Sequence, residues 1–164
     1  MIDEYFQWKP FFEIVPLVIE DCAEISNVHG DRFPRQWSED EFASLLLQPN
    51  VFGFVARQTN AFFSRPVGGF VLARETAGEA EILTIAVSEK FARAGVGWRL
   101  MQAALREASQ RGGETIFLEV EGANHPAVHL YRKLKFETIA ERPAYYSASD
   151  GTKSTALVMR RDLR

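Results

Sequence analysis

A β-rich run, Ala80-Glu81-Ile82-Leu83-Thr84-Ile85-Ala86-Val87, is followed eight residues later by Gly95-Val96-Gly97 and then by an amphipathic stretch. Glycines at alternate positions let a backbone turn without a Cβ penalty. They also leave several N–H groups bare at the positive end of the helix that follows. Such a strand–loop–helix junction is a seat for phosphate or pyrophosphate oxygens. It commits the chain to an α/β fold and predicts an anionic ligand before any catalytic residue is considered.

Two common phosphate loops fail against these residues. A P-loop requires Lys-Ser or Lys-Thr after its last glycine, and Trp98-Arg99 stand there. A dinucleotide fingerprint requires a third glycine or alanine where Leu100 stands. The remaining alternatives are an anion site of a different kind and a glycine-capped helix with no ligand.

At 164 residues the chain is the size of one domain, and a single domain over 1–164 is expected. A net charge of −3 with no Lys/Arg tract gives no footprint for nucleic acid. One cysteine, Cys22, excludes an internal disulfide framework and a cysteine metal cluster. The start, Met1-Ile2-Asp3-Glu4, lacks the basic and apolar regions of a signal peptide, and no apolar run is long enough to span a bilayer. A cytoplasmic protein without a membrane partner is expected; oligomeric state stays open.

Strands are expected at Phe11–Pro16, Val51–Arg57, Val67–Ala73, the run ending at Val87, Thr115–Val120, Phe136–Ala140 and Ser154–Met159. Helical spacing marks about Glu20 to His29, a segment opened by the capping box Ser38…Glu41, about Gly97 to Arg111, and a segment beginning near Pro126. Asp150-Gly151 reads as the turn between the last two strands. The order is β-α-α-β-β-β-α-β-α-β-β, a mixed sheet with helices on both faces.

Glu119 lies within an apolar strand, and alternation puts it on the same face as Phe117. A carboxylate there either lines a cleft as a general base or forms a structural ion pair. Tyr131 is either a core tyrosine or a proton donor, and Asn124 either caps a helix or contacts a ligand. His125 and His129 share an i, i+4 spacing but lack a third ligand, so no metal is expected; His29 reads as packing.

Together these features resemble the GNAT superfamily of acetyl-CoA-dependent N-acetyltransferases. The likeness runs from about Glu79 to Met159. It implies a central twisted, mixed but mostly antiparallel sheet of about six to seven strands. It also implies that Ile85, Ala86 and Val87 pair with the pantetheine arm of acetyl-CoA. Arg93, Ala94, Gly95, Val96, Gly97 and Trp98 would cradle the pyrophosphate, and Asn124 would contact the cofactor. Phe33-Pro34, Trp37-Ser38, Leu118-Glu119-Val120, Leu130-Tyr131, Arg142 and Tyr145-Tyr146 are similar to the subgroup that acetylates ribosomal-protein alanine. That likeness makes Glu119 the base and Tyr131 the acid that protonates the departing thiolate. The sequence departs from the family pattern at Ala92, Trp98, Glu121, His125-Pro126 and Lys135, the last replacing a usual glycine.

The reading is an enzyme acetylating the N-terminal α-amine of a protein, plausibly a ribosomal protein, by direct attack. The alternatives are a small amine or a lysine side chain as acceptor, and a non-catalytic CoA-binding regulator.

Overall fold

The computed structural model describes residues 9–147 and 153–164. Seven strands form one sheet: β1 Phe12–Pro16, β2 Val51–Gln58, β3 Val67–Thr76, β4 Glu79–Val87, β5 Thr115–Glu121, β6 Glu137–Ser147 and β7 Lys153–Asp162. Their spatial order is β1-β2-β3-β4-β5-β7-β6, and only β4 and β5 run parallel. The four helices are α1 Cys22–Arg32, α2 Glu39–Leu46, α3 Val96–Gln110 and α4 His125–Lys133. The order of elements is the one read from the sequence. The last two strands extend further than expected, and Asp150-Gly151 lies outside the described residues.

Helix chemistry explains the helix starts. The Ser38 hydroxyl accepts from the Glu41 N–H at 3.1 Å, and the Glu41 carboxylate accepts from the Ser38 N–H at 2.7 Å, a reciprocal cap. The Asn124 side chain caps α4 by accepting from the Ala127 N–H at 3.3 Å, with Pro126 in the first turn. At its other end α4 closes with Phe136 N–H donating to Tyr131 O and Lys135 N–H to Arg132 O. This is a Schellman cap, whose left-handed position is filled by Lys135 at φ 71° where glycine is usual.

Each face of the sheet has its own core. On one side α3 and α4 bury Leu100, Met101, Ala104, Val128 and Tyr131 against Ala80, Ile82, Ile116, Leu118 and Val120. On the other, α1 and α2 bury Ile25, Val28 and Phe42 against Val55, Phe70 and Leu72. His29 belongs to this second core. It is 2% exposed, stacks on Phe33 and Trp37, and accepts the Trp37 N–H at Nδ1.

The plain alternation expected for β4 is broken. The register with β3 jumps from Leu72↔Thr84 to Ala73↔Ile82, so Leu83 is an inserted bulge residue. Before it, Ala80 and Ile82 face α3; after it, Ile85 and Val87 face that side and Ala86 faces α1. The Thr84 hydroxyl at the bulge is buried without a hydrogen-bond partner among the described residues.

Candidate active site

β4 and β5 pair only at Glu79↔Thr115, Ala80↔Ile116 and Glu81↔Phe117. Beyond that point both strands continue, to Val87 and Glu121, without a ladder between them. Ile85, Ala86 and Val87 therefore keep the backbone groups on their β5 side free for a ligand. A bulge at the parting point is the kind of device that re-aims a strand beside a site.

The loop after β4 leads into α3 through Gly95, whose φ is 75°. Arg93 is also left-handed, at φ 67°. The Arg99 N–H closes the first helical bond to Gly95 O. The N–H groups of Val96, Gly97 and Trp98 are thus the unpaired donors of the helix start. Only one of the two glycines is needed for its backbone angle. Gly97 is needed for closeness: a Cβ there would lie 3.3 Å from Leu130 Cδ2 and 3.8 Å from Val87 Cγ2. It lets α3 start against α4, one residue before Tyr131.

The sequence candidates separate onto the two faces. Glu119 is on the central strand as expected, but its side chain points to the open α1/α2 side and is half-exposed. It is neither isolated nor enclosed: Arg142 on β6 reaches across β7 and grips both carboxylate oxygens, Nε to Oε1 at 2.9 Å and the Nη2 group to Oε2. That bidentate hydrogen bond holds the Arg142 guanidinium above its ordinary value. Of the two readings of Glu119, the ion pair is present, and it stands beside the gap.

Tyr131 is 6% exposed in the α3/α4 core, with its ring 6.0 Å from Phe136. Burial pushes its phenol up to about 12, so it keeps its proton throughout the neutral range. Asn124 uses its carbonyl oxygen as a helix cap, which leaves its amide nitrogen available. Phe33 is partly exposed beyond the His29 stack. The side chains of Tyr145 and Tyr146 lie outside those described. The Arg142–Glu119 pair escaped sequence reading because the partners are two strands apart in a sheet whose order the sequence does not print.

The profile of the Acetyltransferase (GNAT) family matches residues 22–136. The chain is 31% identical over 123 residues to the [ribosomal protein bS18]-alanine N-acetyltransferase of Escherichia coli strain K12, covering 75% of this chain and 78% of that one. A 90-residue stretch is 38% identical to the mycothiol acetyltransferase of Saccharomonospora viridis, covering 55% of this chain and 26% of that protein. In structure, the ribosomal-protein-S18-alanine N-acetyltransferase from Escherichia coli superposes with a TM-score of 0.82 at 27% identity, over 93% of this chain and 94% of that one. Arabidopsis thaliana NAA60, solved in complex with acetyl-CoA, shares the fold at 18% identity with a TM-score of 0.79 over 93% and 98% of the two chains. The parted strands and the helix start fit acetyl-CoA, which needs a backbone to pair with its amide-bearing arm and donors for its pyrophosphate. The chain belongs to the GNAT acetyltransferase family and is an acetyl-CoA-dependent N-acetyltransferase.

Proposed function

We propose that this enzyme acetylates the α-amine at the N-terminus of a protein, with a ribosomal protein as the foremost acceptor and the cytoplasm as its location. The observation that carries the reading is the arrangement about the β4–β5 gap. A carboxylate, Glu119, stands on the open side of the sheet, and a buried protonated phenol, Tyr131, stands on the other. The named activity of the Escherichia coli relative supports the choice of acceptor.

In this reading the backbone of Ile85, Ala86 and Val87 pairs with the pantetheine arm. Arg93 to Trp98 hold the pyrophosphate, and Asn124 offers its amide to the cofactor. Acetyl-CoA supplies the thioester. An acceptor α-amine has an ordinary pKa of about 7.7–8.0, so taking its proton is a modest task for Glu119, directly or through one water. The amine forms the new N–C bond as the C–S bond breaks. Arg142 already occupies both Glu119 oxygens, so an arriving ammonium must share or replace that guanidinium.

The magnitude for Tyr131 refines its role. An ordinary thiol titrates near 8.5 and this phenol at about 12, so full proton transfer to the thiolate is uphill by about 5 kcal/mol. Donating a hydrogen bond to the charge developing on sulfur needs no such transfer. Tyr131 acts chiefly as that donor, and the proton reaches sulfur fully only where the buried site raises the thiolate as well.

A small amine is the second reading, favoured by the likeness to the mycothiol enzyme over its 90-residue stretch. The test incubates the full chain with acetyl-CoA and a panel of Ala-, Ser- and Met-initiated peptides containing lysine, alongside small amines. Mass spectrometry then locates the acetyl group. Acetylation at the peptide α-amine is expected; acetylation confined to lysine side chains or small amines overturns the proposal.

A further inference from the structure

The outer side of α3 and the C-terminal end of α4 enclose a groove of about 340 Å³ that the catalytic reading does not use. Its floor is apolar, formed by the buried Leu105 and Leu134. Its walls carry Arg106, Lys133, Lys135 and Arg161, with the partly exposed indole of Trp98 at one end. None of these four cations forms a salt bridge with a described carboxylate. In a chain with net charge −3, four cations left to face one another repel and stay together only at some cost to stability. Lys135 adds to that cost, since it holds a left-handed backbone angle that glycine would adopt freely.

We infer that this groove is a nucleotide site, with a base stacked on Trp98 and phosphate oxygens held by Arg106, Lys133, Lys135 and Arg161. An aromatic platform beside converging cations is the general chemistry of base-plus-phosphate recognition. An acidic peptide would use the cations but leave the indole and the leucine floor unmatched. Two sources carry this chemistry: the 3′-phosphoadenosine end of coenzyme A, leaving the helix start one residue from Trp98, and an RNA strand. The inference is independent of the roles given to Glu119 and Tyr131. Only its coenzyme arm rests on the Gly95–Gly97 seat.

The test titrates CoA, 3′-dephospho-CoA and a fluorescein-labelled single-stranded oligoribonucleotide into wild type, Trp98→Ala, Arg106→Glu/Lys133→Glu and Lys135→Gly. If coenzyme A fills the groove, wild type prefers CoA over the dephospho form by roughly ten-fold, and the charge-reversal variant loses that preference. If RNA fills it, the oligonucleotide binds in the presence of saturating CoA, weakens with rising salt, and is lost in the same variant. Lys135→Gly guards against misfolding as an explanation. It relieves the left-handed strain, so its melting temperature rises while its affinity falls. Failure of the seat reads differently: Gly97→Val would then leave CoA and dephospho-CoA equally unaffected. Equal affinity for CoA and dephospho-CoA in wild type, together with no RNA binding, overturns the inference.

Discussion

Replacing Gly95 by alanine tests the anion seat with the fewest side effects. Gly95 holds φ at +75°, and that conformation costs a residue bearing a Cβ about 1–2 kcal/mol. An added Cβ meets nothing within 4 Å, so no clash enters and the whole effect is backbone strain. The strain has two destinations. If the loop keeps its shape, the protein is destabilised and its melting temperature falls by about 2–8 °C for a domain of this size. If the free loop relaxes and must be re-formed around phosphate, the same energy emerges as roughly five- to thirty-fold weaker CoA binding. The two losses are expected to sum to the strain, read by calorimetric titration of CoA and by thermal unfolding of the same preparation. Gly95→Asn should fall closer to wild type, because asparagine tolerates the left-handed region. An alanine variant with both affinity and melting temperature unchanged refutes the reasoning.

Gly97→Val fails by a different route. Its Cβ would press on Leu130 at 3.3 Å, so CoA affinity should fall sharply; calorimetry finding wild-type affinity would remove Gly97 from the seat. Tyr131→Phe should lower turnover by roughly 10²-fold while leaving acetyl-CoA affinity within about two-fold, and equal turnover in a stopped assay would end its catalytic role. Burial, against a smaller opposing pull from Glu41, holds the His29 imidazole below its ordinary value. The unfolded chain therefore binds the extra proton first, and stability present above about pH 6.5 is lost as pH falls through that value toward the folded one. Urea midpoints should drop more steeply from pH 7 to 5 in wild type than in His29→Asn, and parallel curves would count against this. Thr84→Val replaces an unpartnered buried hydroxyl with a methyl group of the same shape, and should stabilise by about 1 kcal/mol. A lower melting temperature would show that the hydroxyl has a partner.

The architecture was legible because local signals and topology agree. Ser38 with Glu41, Pro126, and the apolar stripe of α3 each mark an element by chemistry confined to a few residues. Turn and connection lengths then leave few sheets to choose from. The bulge at Leu83 was not legible, since Ile82-Leu83-Thr84-Ile85 is apolar enough to suit either register. Its consequence is large: without it Ala86 and Val87 would exchange faces, and the strand would present the wrong residues to each core.

Charge at the site was the least legible property, because it depends on who meets whom across the sheet. Glu119 could be named from the strand, yet nothing local announces that Arg142 would cross β7 to hold it. The net charge of −3 likewise suggested a surface indifferent to polyanions. The fold instead draws Arg106, Lys133, Lys135 and Arg161 together from one turn of α3, the end of α4 and the last strand. Lys135 ties the two problems to one backbone position. A Schellman cap ordinarily takes glycine there, and a lysine at φ 71° forfeits that ease. Capping alone gives no reason to accept the strain; an ammonium placed at the mouth of a cationic groove, one helical turn beyond Tyr131, does.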